Sequence, residues 1–187
     1  ESPLLLNPAS GWLYNSNDWP WAAAGPDSPR RERFPAYVES GGPSARGRHA
    51  VRVLEHARGF TLDSVLAAAY DSYLPWFERT VPALVRAWDA AAATDPLRAK
   101  LEGQIELLRP WDLRWSATSV PTTLAVFWGE QVSRRFGREA RAAGMPAEDY
   151  VATRAAAGEL LDALSAASDT LAAAFGTWRT PWGDINR

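Results

Sequence analysis

The sequence has 187 residues, a length typical of one domain, with 20 basic and 22 acidic side chains and a formal net charge of -2. This balance excludes a chain-wide basic surface of the kind that binds nucleic acid or an anionic membrane. The absence of cysteine excludes disulfides, thiol nucleophiles and thiolate zinc sites.

Residues 1–45 form a Pro- and Gly-rich arm whose composition is typical of loops and short extended segments. Within it, "LNPASGWLYNSNDWPW" (residues 6–21, here the N-terminal motif) holds three Asn and three Trp. "NPASG" predicts one turn, "WLY" a short extended piece, and "NSND" a second turn with Asx-type hydrogen bonds. The chain opens without an initiator Met or a signal-peptide pattern, so we expect it to be a piece of a longer protein.

Residues 46–176 predict an α-helical domain with recognisable helix starts. Ser44 is expected to cap a short helix through about His56. Thr61, with Asp63 in the first turn, is expected to cap a second helical stretch. Apolar residues at spacings of three and four continue this stretch to about residue 94. Two prolines inside the stretch should kink or split it. These are Pro75 and Pro82.

Three further helical stretches follow along the chain. Asp95 as N-cap and Pro96 at the first position predict a helix that ends at Pro110. Ser119 and Pro121 open the next, through about Arg141, and the last runs from about 147 to 175 with a possible break at Gly158. Its expected buried positions are Leu160, Leu164, Leu171 and Phe175. Residues 177–187 form a turn-rich tail, so the fold class is mainly α, a helical bundle between two non-helical ends.

Several catalytic patterns carry little weight in this sequence. His49 and His56 are seven apart, about two helical turns, which is too far for a compact metal-binding pair. No G-x-S-x-G elbow is present, which disfavours a Ser-His-Asp hydrolase of that type. Glu102, Glu106 and Asp112 could supply the carboxylates of a hydrolase. The two glutamates, however, lie on a helix whose other face carries a line of leucines, which favours a solvated face for them.

The amides of the N-terminal motif leave two interpretations open. A structural turn is one, and the many tryptophans would then suit a non-enzymatic interaction module with an aromatic binding surface. In the other, an Asn side-chain amide in a Trp-walled loop donates a hydrogen bond to a developing oxyanion, because it is a neutral donor with no proton to lose.

The motif "NPASGWLYNSNDWPW", a Pro-rich loop and then "ARGRHAVRVLE" resemble the middle of the β-chain in the penicillin acylase family of N-terminal nucleophile (Ntn) amidohydrolases. "FTLDSVLAAAYDSYLPW" and "TWRTPWGDINR" are closer to its acyl-homoserine lactone and lipopeptide acylase branch. The resemblance covers nearly the whole chain and is most specific in the first fifty residues. It implies hydrolysis of an amide between an acyl chain and an amine, in a larger α+β enzyme with an αββα core.

The same resemblance assigns roles to residues of this chain. Asn17 matches the Asn whose side chain lines the family's oxyanion hole, and Arg46 matches the Arg that supports it from the head of a helix. Aromatic side chains of the arm are expected either to wall the acyl pocket or to pack in the core. They are Trp12, Trp19, Trp21 and Phe34.

The family's catalytic nucleophile has no counterpart here. It is an N-terminal Ser that acts through its own α-amino group and lies upstream of the matched segment, whereas this chain begins with Glu1. We therefore expect this segment alone to be inactive and its partners to be a small N-acyl substrate, the α-chain and the rest of the β-chain. The resemblance implies a periplasmic or secreted location and no cofactor, and leaves open whether calcium binds.

Overall fold

The computed structural model describes residues 2–39 and 41–186. The chain divides after Pro75 into two compact units, here the first unit and, from Trp76, the second unit. Helices dominate, and the described ranges contain no β-strand. The predicted mainly α class is confirmed. From composition, three parts were predicted, at residues 1–45, 46–176 and 177–187. The two units are defined by contacts instead of composition, so the three-part division stays a prediction.

The first unit consists of a long irregular segment followed by two helices. The irregular part contains three short 3-10 helices, Pro20–Ala22, Gly25–Asp27 and Arg31–Arg33. Helix α1 spans Ala45–Glu55 and α2 spans Leu62–Ala69. Both predicted caps are confirmed, since the Ser44 hydroxyl accepts from the Gly47 N–H and the Thr61 hydroxyl from the Ser64 N–H. The side chain of Ser64 bonds back to Thr61 and completes a capping box.

The two prolines of the predicted long helix behave differently. The helix splits near the first proline, because α2 ends at Ala69 and the next helix, α3, spans Pro75–Ala90 and begins on that proline. Its fixed φ and missing N–H suit the first helical position. Pro82 lies inside α3, on its exposed side, and does not end the helix.

The remaining helices form a bundle around α6. They are α4 (Pro96–Lys100), α5 (Glu102–Leu108), α6 (Val120–Ala142), α7 (Ala147–Thr153), α8 (Ala157–Phe175) and α9 (Trp182–Ile185). Helix α6 packs most extensively against α8 and also against α5, α7 and α9. Their facing sides, together with that of α3, enclose a mainly apolar core. Its largest fully buried side chains are Leu84, Leu101, Ile105, Leu108, Leu124, Trp128, Val132, Val151, Leu161, Leu164 and Leu171.

Helix breaks in this bundle differ from the sequence predictions. The stretch that starts at Pro96 is interrupted at Leu101, whose backbone leaves the helical region while its side chain is fully buried. The last stretch breaks at residues 154–156 instead of at Gly158. Phe175, predicted to be buried, is 42% exposed. The tail predicted to be turns contains the short helix α9, whose Gly183 N–H donates to the Ala117 carbonyl at 2.7 Å.

No helix in the described part of the chain has both the length and the hydrophobicity to cross a bilayer.

Candidate functional site

The second turn of the N-terminal motif holds Asn17 in a left-handed backbone conformation. Its φ is 60°, in a region that Asn tolerates better than most residues. The Asn15 side-chain carbonyl accepts from the Asn17 N–H at 2.8 Å, which closes the predicted Asx turn. Asn17 itself is exposed, so the turn presents its side chain at the surface of the first unit.

Arg46 contacts the same turn from the first turn of α1. Its Nη2 donates to the Ser16 carbonyl at 2.9 Å, across thirty residues of sequence. A charged donor on a carbonyl is among the stronger protein hydrogen bonds. The loop between the motif and α1 therefore doubles back, which its Pro and Gly content permits. The structure thus brings Arg46 to the peptide that directly precedes Asn17.

A third contact involves Gly47, the neighbour of Arg46. A Cβ atom placed on Gly47 would lie 1.9 Å from Oδ2 of Asp18 and 2.8 Å from the Tyr14 hydroxyl. Neither of these buried oxygens has a hydrogen-bond partner of good geometry in the described chain. Burial, followed by the negative charge of Asp18, raises the pKa of Tyr14 above its usual value near 10. The phenol therefore stays neutral beside the carboxylate.

Backbone contacts within the first unit hold the rest of the motif. The Gly11 N–H donates to the Pro8 carbonyl at 3.0 Å, which closes the predicted first turn. The Tyr14 N–H donates to the Ala23 carbonyl at 2.9 Å and closes the loop that carries Asn17. Trp12 lies over Gly25, where a Cβ would be 3.1 Å from its ring. The motif is therefore a folded loop with defined ends.

An apolar groove of about 490 Å³ adjoins these residues. The motif contributes Trp12 and Leu13, and α1 contributes the polar side chains of Arg46 and His49. The remaining walls come from α1, α2 and the residues between them. They are Ala50, Val53, Leu54, Phe60, Val65, Ala68 and Ala69. The groove is thus apolar along most of its length and carries a guanidinium and an imidazole on its wall.

The position of α2 beside the groove is fixed by a polar contact. His49 Nε2 and Asp71 Oδ1 are 2.7 Å apart, and each side chain is about one quarter exposed. The same carboxylate oxygen accepts from the Tyr73 N–H at 3.0 Å. This pair joins α1 to the segment that follows α2, which gives His49 a structural role that its sequence pattern did not indicate.

The four aromatic residues proposed for the acyl pocket occupy different places. Trp12 lines the groove with Arg46. Trp19 lines a smaller cavity of about 200 Å³ beside Tyr14 and Asp18. Trp21 and Phe34 pack on each other with ring centroids 5.4 Å apart.

Sequence reasoning missed the groove wall formed by α1 and α2. The signal was present in the three- and four-residue spacing of Ala50, Val53 and Leu54 in α1 and of Val65, Ala68 and Ala69 in α2. Local periodicity shows that a helix face is apolar and does not show what covers it.

The other candidate chemistries find no site. Glu102 and Glu106 are exposed on α5, whose other side buries Ile105 and Leu108, as expected for a solvated face. Asp112 Oδ1 accepts from the Arg114 N–H in a turn. Within the described ranges, no three His, Asp or Glu side chains gather as a metal site requires.

A cluster of exposed tryptophans is also not seen among the described residues. Among the described tryptophans, only Trp19 and Trp115 are exposed, at 42% and 46%, and they belong to different units.

One comparison with known proteins bears on this site. The family model for penicillin amidase matches residues 1–187, the whole printed sequence.

Proposed function

The chain belongs to the penicillin amidase family, and we propose that it supplies the oxyanion-stabilising part of an acylase that hydrolyses the amide between an acyl chain and an amine. Membership supports an amidohydrolase of the penicillin acylase type. Asn17 is the oxyanion donor in this proposal and Arg46 supports it. The nucleophile is an N-terminal Ser carried by a part of the enzyme outside these 187 residues.

The observation that carries this proposal is the Arg46–Ser16 hydrogen bond, which fixes the peptide directly before Asn17. The backbone N–H of Asn17 is used by Asn15, and no hydrogen bond within the described residues uses its side-chain amide. A substrate can therefore meet that amide as a free donor. When the nucleophile attacks, the carbonyl oxygen becomes an oxyanion, and a donor about 3 Å from it lowers the barrier by roughly 3 to 4 kcal/mol.

Arg46 adds a permanent positive charge near the same place. Its guanidinium is a delocalised cation that presents a planar fork of hydrogen-bond donors. Bound to the Ser16 carbonyl, it holds the turn and stabilises negative charge that develops beside Asn17. Arg46 thus acts in two ways, by positioning the turn and by the electrostatic effect of its charge.

The acyl part of the substrate is proposed to bind in the apolar groove. Its Val, Leu, Ala and Phe side chains favour a hydrocarbon chain, and Arg46 on its wall links it to the oxyanion donor. The branch resemblance seen in the sequence supports aliphatic acyl substrates, such as those of acyl-homoserine lactone and lipopeptide acylases. A periplasmic or secreted location is proposed on the same resemblance.

The test is to replace Asn17 by glycine in the complete acylase that contains this chain. Glycine adopts a φ of 60° without strain, so Asn17→Gly removes the amide and keeps the turn. We expect kcat for N-acyl substrates to fall about 100- to 1,000-fold, with KM changed by about twofold or less. Maturation and thermal unfolding should match those of the parent enzyme.

Asn7→Gly is the matched control. Asn7 is in the same motif, is exposed and has a φ of 47°, but no role is proposed for it. Its kcat should equal that of the parent. An Asn17→Gly variant whose kcat equals that of the parent enzyme would refute the oxyanion role.

A further inference from the structure

Gly47 is a glycine that its own helix does not require. It lies in the first turn of α1, it is buried, and its φ is not in the left-handed region. Alanine is the better helix former by about 1 kcal/mol. A residue other than those of α1 must therefore make glycine favourable at this position.

The closest such residue is Asp18, ahead of the Tyr14 hydroxyl at 2.8 Å and the Pro43 Cβ at 3.1 Å from a Cβ on Gly47. The 1.9 Å between its Oδ2 and a Cβ on Gly47 is far below any real contact, so alanine at 47 would displace the carboxylate by roughly 1 Å or more. The carboxylate lies beside the first turn of an eleven-residue helix, where the macrodipole favours negative charge. Asp18 therefore occupies space that only glycine leaves open.

Two neighbours of Asn17 thus lie against two neighbours on α1. Arg46 binds the Ser16 carbonyl at 2.9 Å, and Gly47 accommodates the Asp18 carboxylate. Asn17 lies between these two contacts, with its left-handed backbone closed by Asn15. A single helical turn consequently contacts the chain on both sides of the amide donor.

We propose that Asp18, accommodated by Gly47, is a positioning residue that aims the Asn17 amide. This inference rests on the proposed function, in which Asn17 is the oxyanion donor. A misplacement of about 1 Å in a catalytic group can cost about 100-fold in rate. The Asp18 contact therefore affects kcat far more than substrate binding.

The first test is Gly47→Ala in the complete enzyme, with Gly42→Ala as control. Gly42 is exposed in the loop before α1, and a Cβ there meets nothing within 4 Å. We expect Gly47→Ala to lower kcat about 10- to 100-fold with KM within about twofold. Gly42→Ala should keep the parent kcat.

The second test changes Asp18 and needs no added atom. Asp18→Asn keeps shape and an acceptor, and should keep kcat within about threefold, whereas Asp18→Ala should lower it about tenfold or more. Since both sites act through one contact, the Asp18→Ala/Gly47→Ala double variant should lose no more than the worse single variant. If Gly47→Ala fails to mature, the comparison of Asp18→Asn with Asp18→Ala still decides whether Asp18 is a positioning residue.

The possible outcomes distinguish a failure of the positioning role of Asp18 from a failure of the proposed function. If Asn17→Gly abolishes activity while Gly47→Ala and Asp18→Ala keep the parent kcat, the positioning role is refuted and the proposed function stands. If Asp18→Ala only lowers the unfolding temperature, the contact is structural and the inference is likewise refuted. If Asn17→Gly keeps the parent kcat, both fail.

Discussion

The two units of this chain are stabilised in different ways. In the second unit, eleven large apolar side chains of the bundle are fully buried, with Trp128 and Leu84 at 0% exposure. In the first unit, Ala24 and Tyr73 are the buried apolar side chains within the described residues. Its order instead comes from turns, caps and polar contacts such as Arg46 to Ser16.

This difference separates the source of stability from the place of chemistry. A packed apolar core stabilises a fold but offers no free donor, whereas an exposed turn offers Asn17 and needs contacts to hold it. Substitutions in the second unit should therefore change the free energy of unfolding. Substitutions at Asn17 and at the residues that contact its turn should instead change kcat.

The largest effect is expected in the bundle core. Trp128 is fully buried, and its Nε1–H donates to the Leu160 carbonyl at 3.1 Å. Trp128→Ala should lower the free energy of unfolding by about 3 to 5 kcal/mol, measured by urea denaturation. The control is Trp115→Ala, at a residue 46% exposed, which should lose less than about 1 kcal/mol. Equal losses would contradict a second unit stabilised by its core.

The next effect is expected at Arg46. Lysine keeps the charge but loses the planar fork, so Arg46→Lys should weaken the hold on the Ser16 carbonyl. A charged hydrogen bond contributes about 1.5 to 3 kcal/mol, so kcat should fall about tenfold. The free energy of unfolding should change little. The exposed Arg30 gives the control Arg30→Lys, and an Arg46→Lys variant with parent kcat would contradict the supporting role.

A smaller effect of opposite sign is expected at Gly137 in α6. A Cβ there meets nothing within 4 Å, and the residue lies inside the helix. Gly137→Ala should raise the free energy of unfolding by about 0.5 to 1 kcal/mol and leave kcat unchanged. This result would contrast with Gly47→Ala, because of these two glycines it is Gly47 that accommodates another side chain. Destabilisation by Gly137→Ala would show that α6 needs this glycine.

The smallest effect is a pH dependence at Tyr14. Because its pKa is raised in the folded state by burial and by Asp18, the unfolded chain releases this proton first. The contribution of the protonated Tyr14 phenol to the free energy of unfolding is fully present below about pH 10. It is lost as the pH rises through the pKa of Tyr14 in the folded state. Between pH 9 and 11, the parent should lose stability relative to Tyr14→Phe. The exposed Tyr37 serves as control through Tyr37→Phe, and parallel curves for Tyr14→Phe and parent would contradict the buried pair.

The helix starts were predictable because capping is local. Ser44, Thr61, Asp95 and Ser119 each lie within three residues of the N–H that they accept. The break at Leu101 was not predictable, since burial of that side chain in the tertiary core outweighs the continuous helical pattern. Helix starts thus follow from neighbouring residues, and breaks follow from packing.

The candidate site could be predicted only in part. Asn17 and Arg46 came from a family resemblance, and the Asx turn from Asn spacing. The Asp18–Gly47 contact joins residues far apart in sequence, and a glycine inside a helical pattern gives no hint of its partner. The groove was missed for the same reason, because two apolar helix faces define it only when their separation is known.

The most direct measurement is a structure of the complete acylase with an alkylboronic acid bound to its nucleophile as a tetrahedral adduct. One boronate oxygen then occupies the position of the oxyanion. The oxyanion role predicts that the Asn17 side-chain nitrogen lies about 2.7 to 3.1 Å from that oxygen. It also predicts that Arg46 still binds the Ser16 carbonyl. An Asn17 amide directed away from the adduct, with other donors around the oxygen, would contradict it.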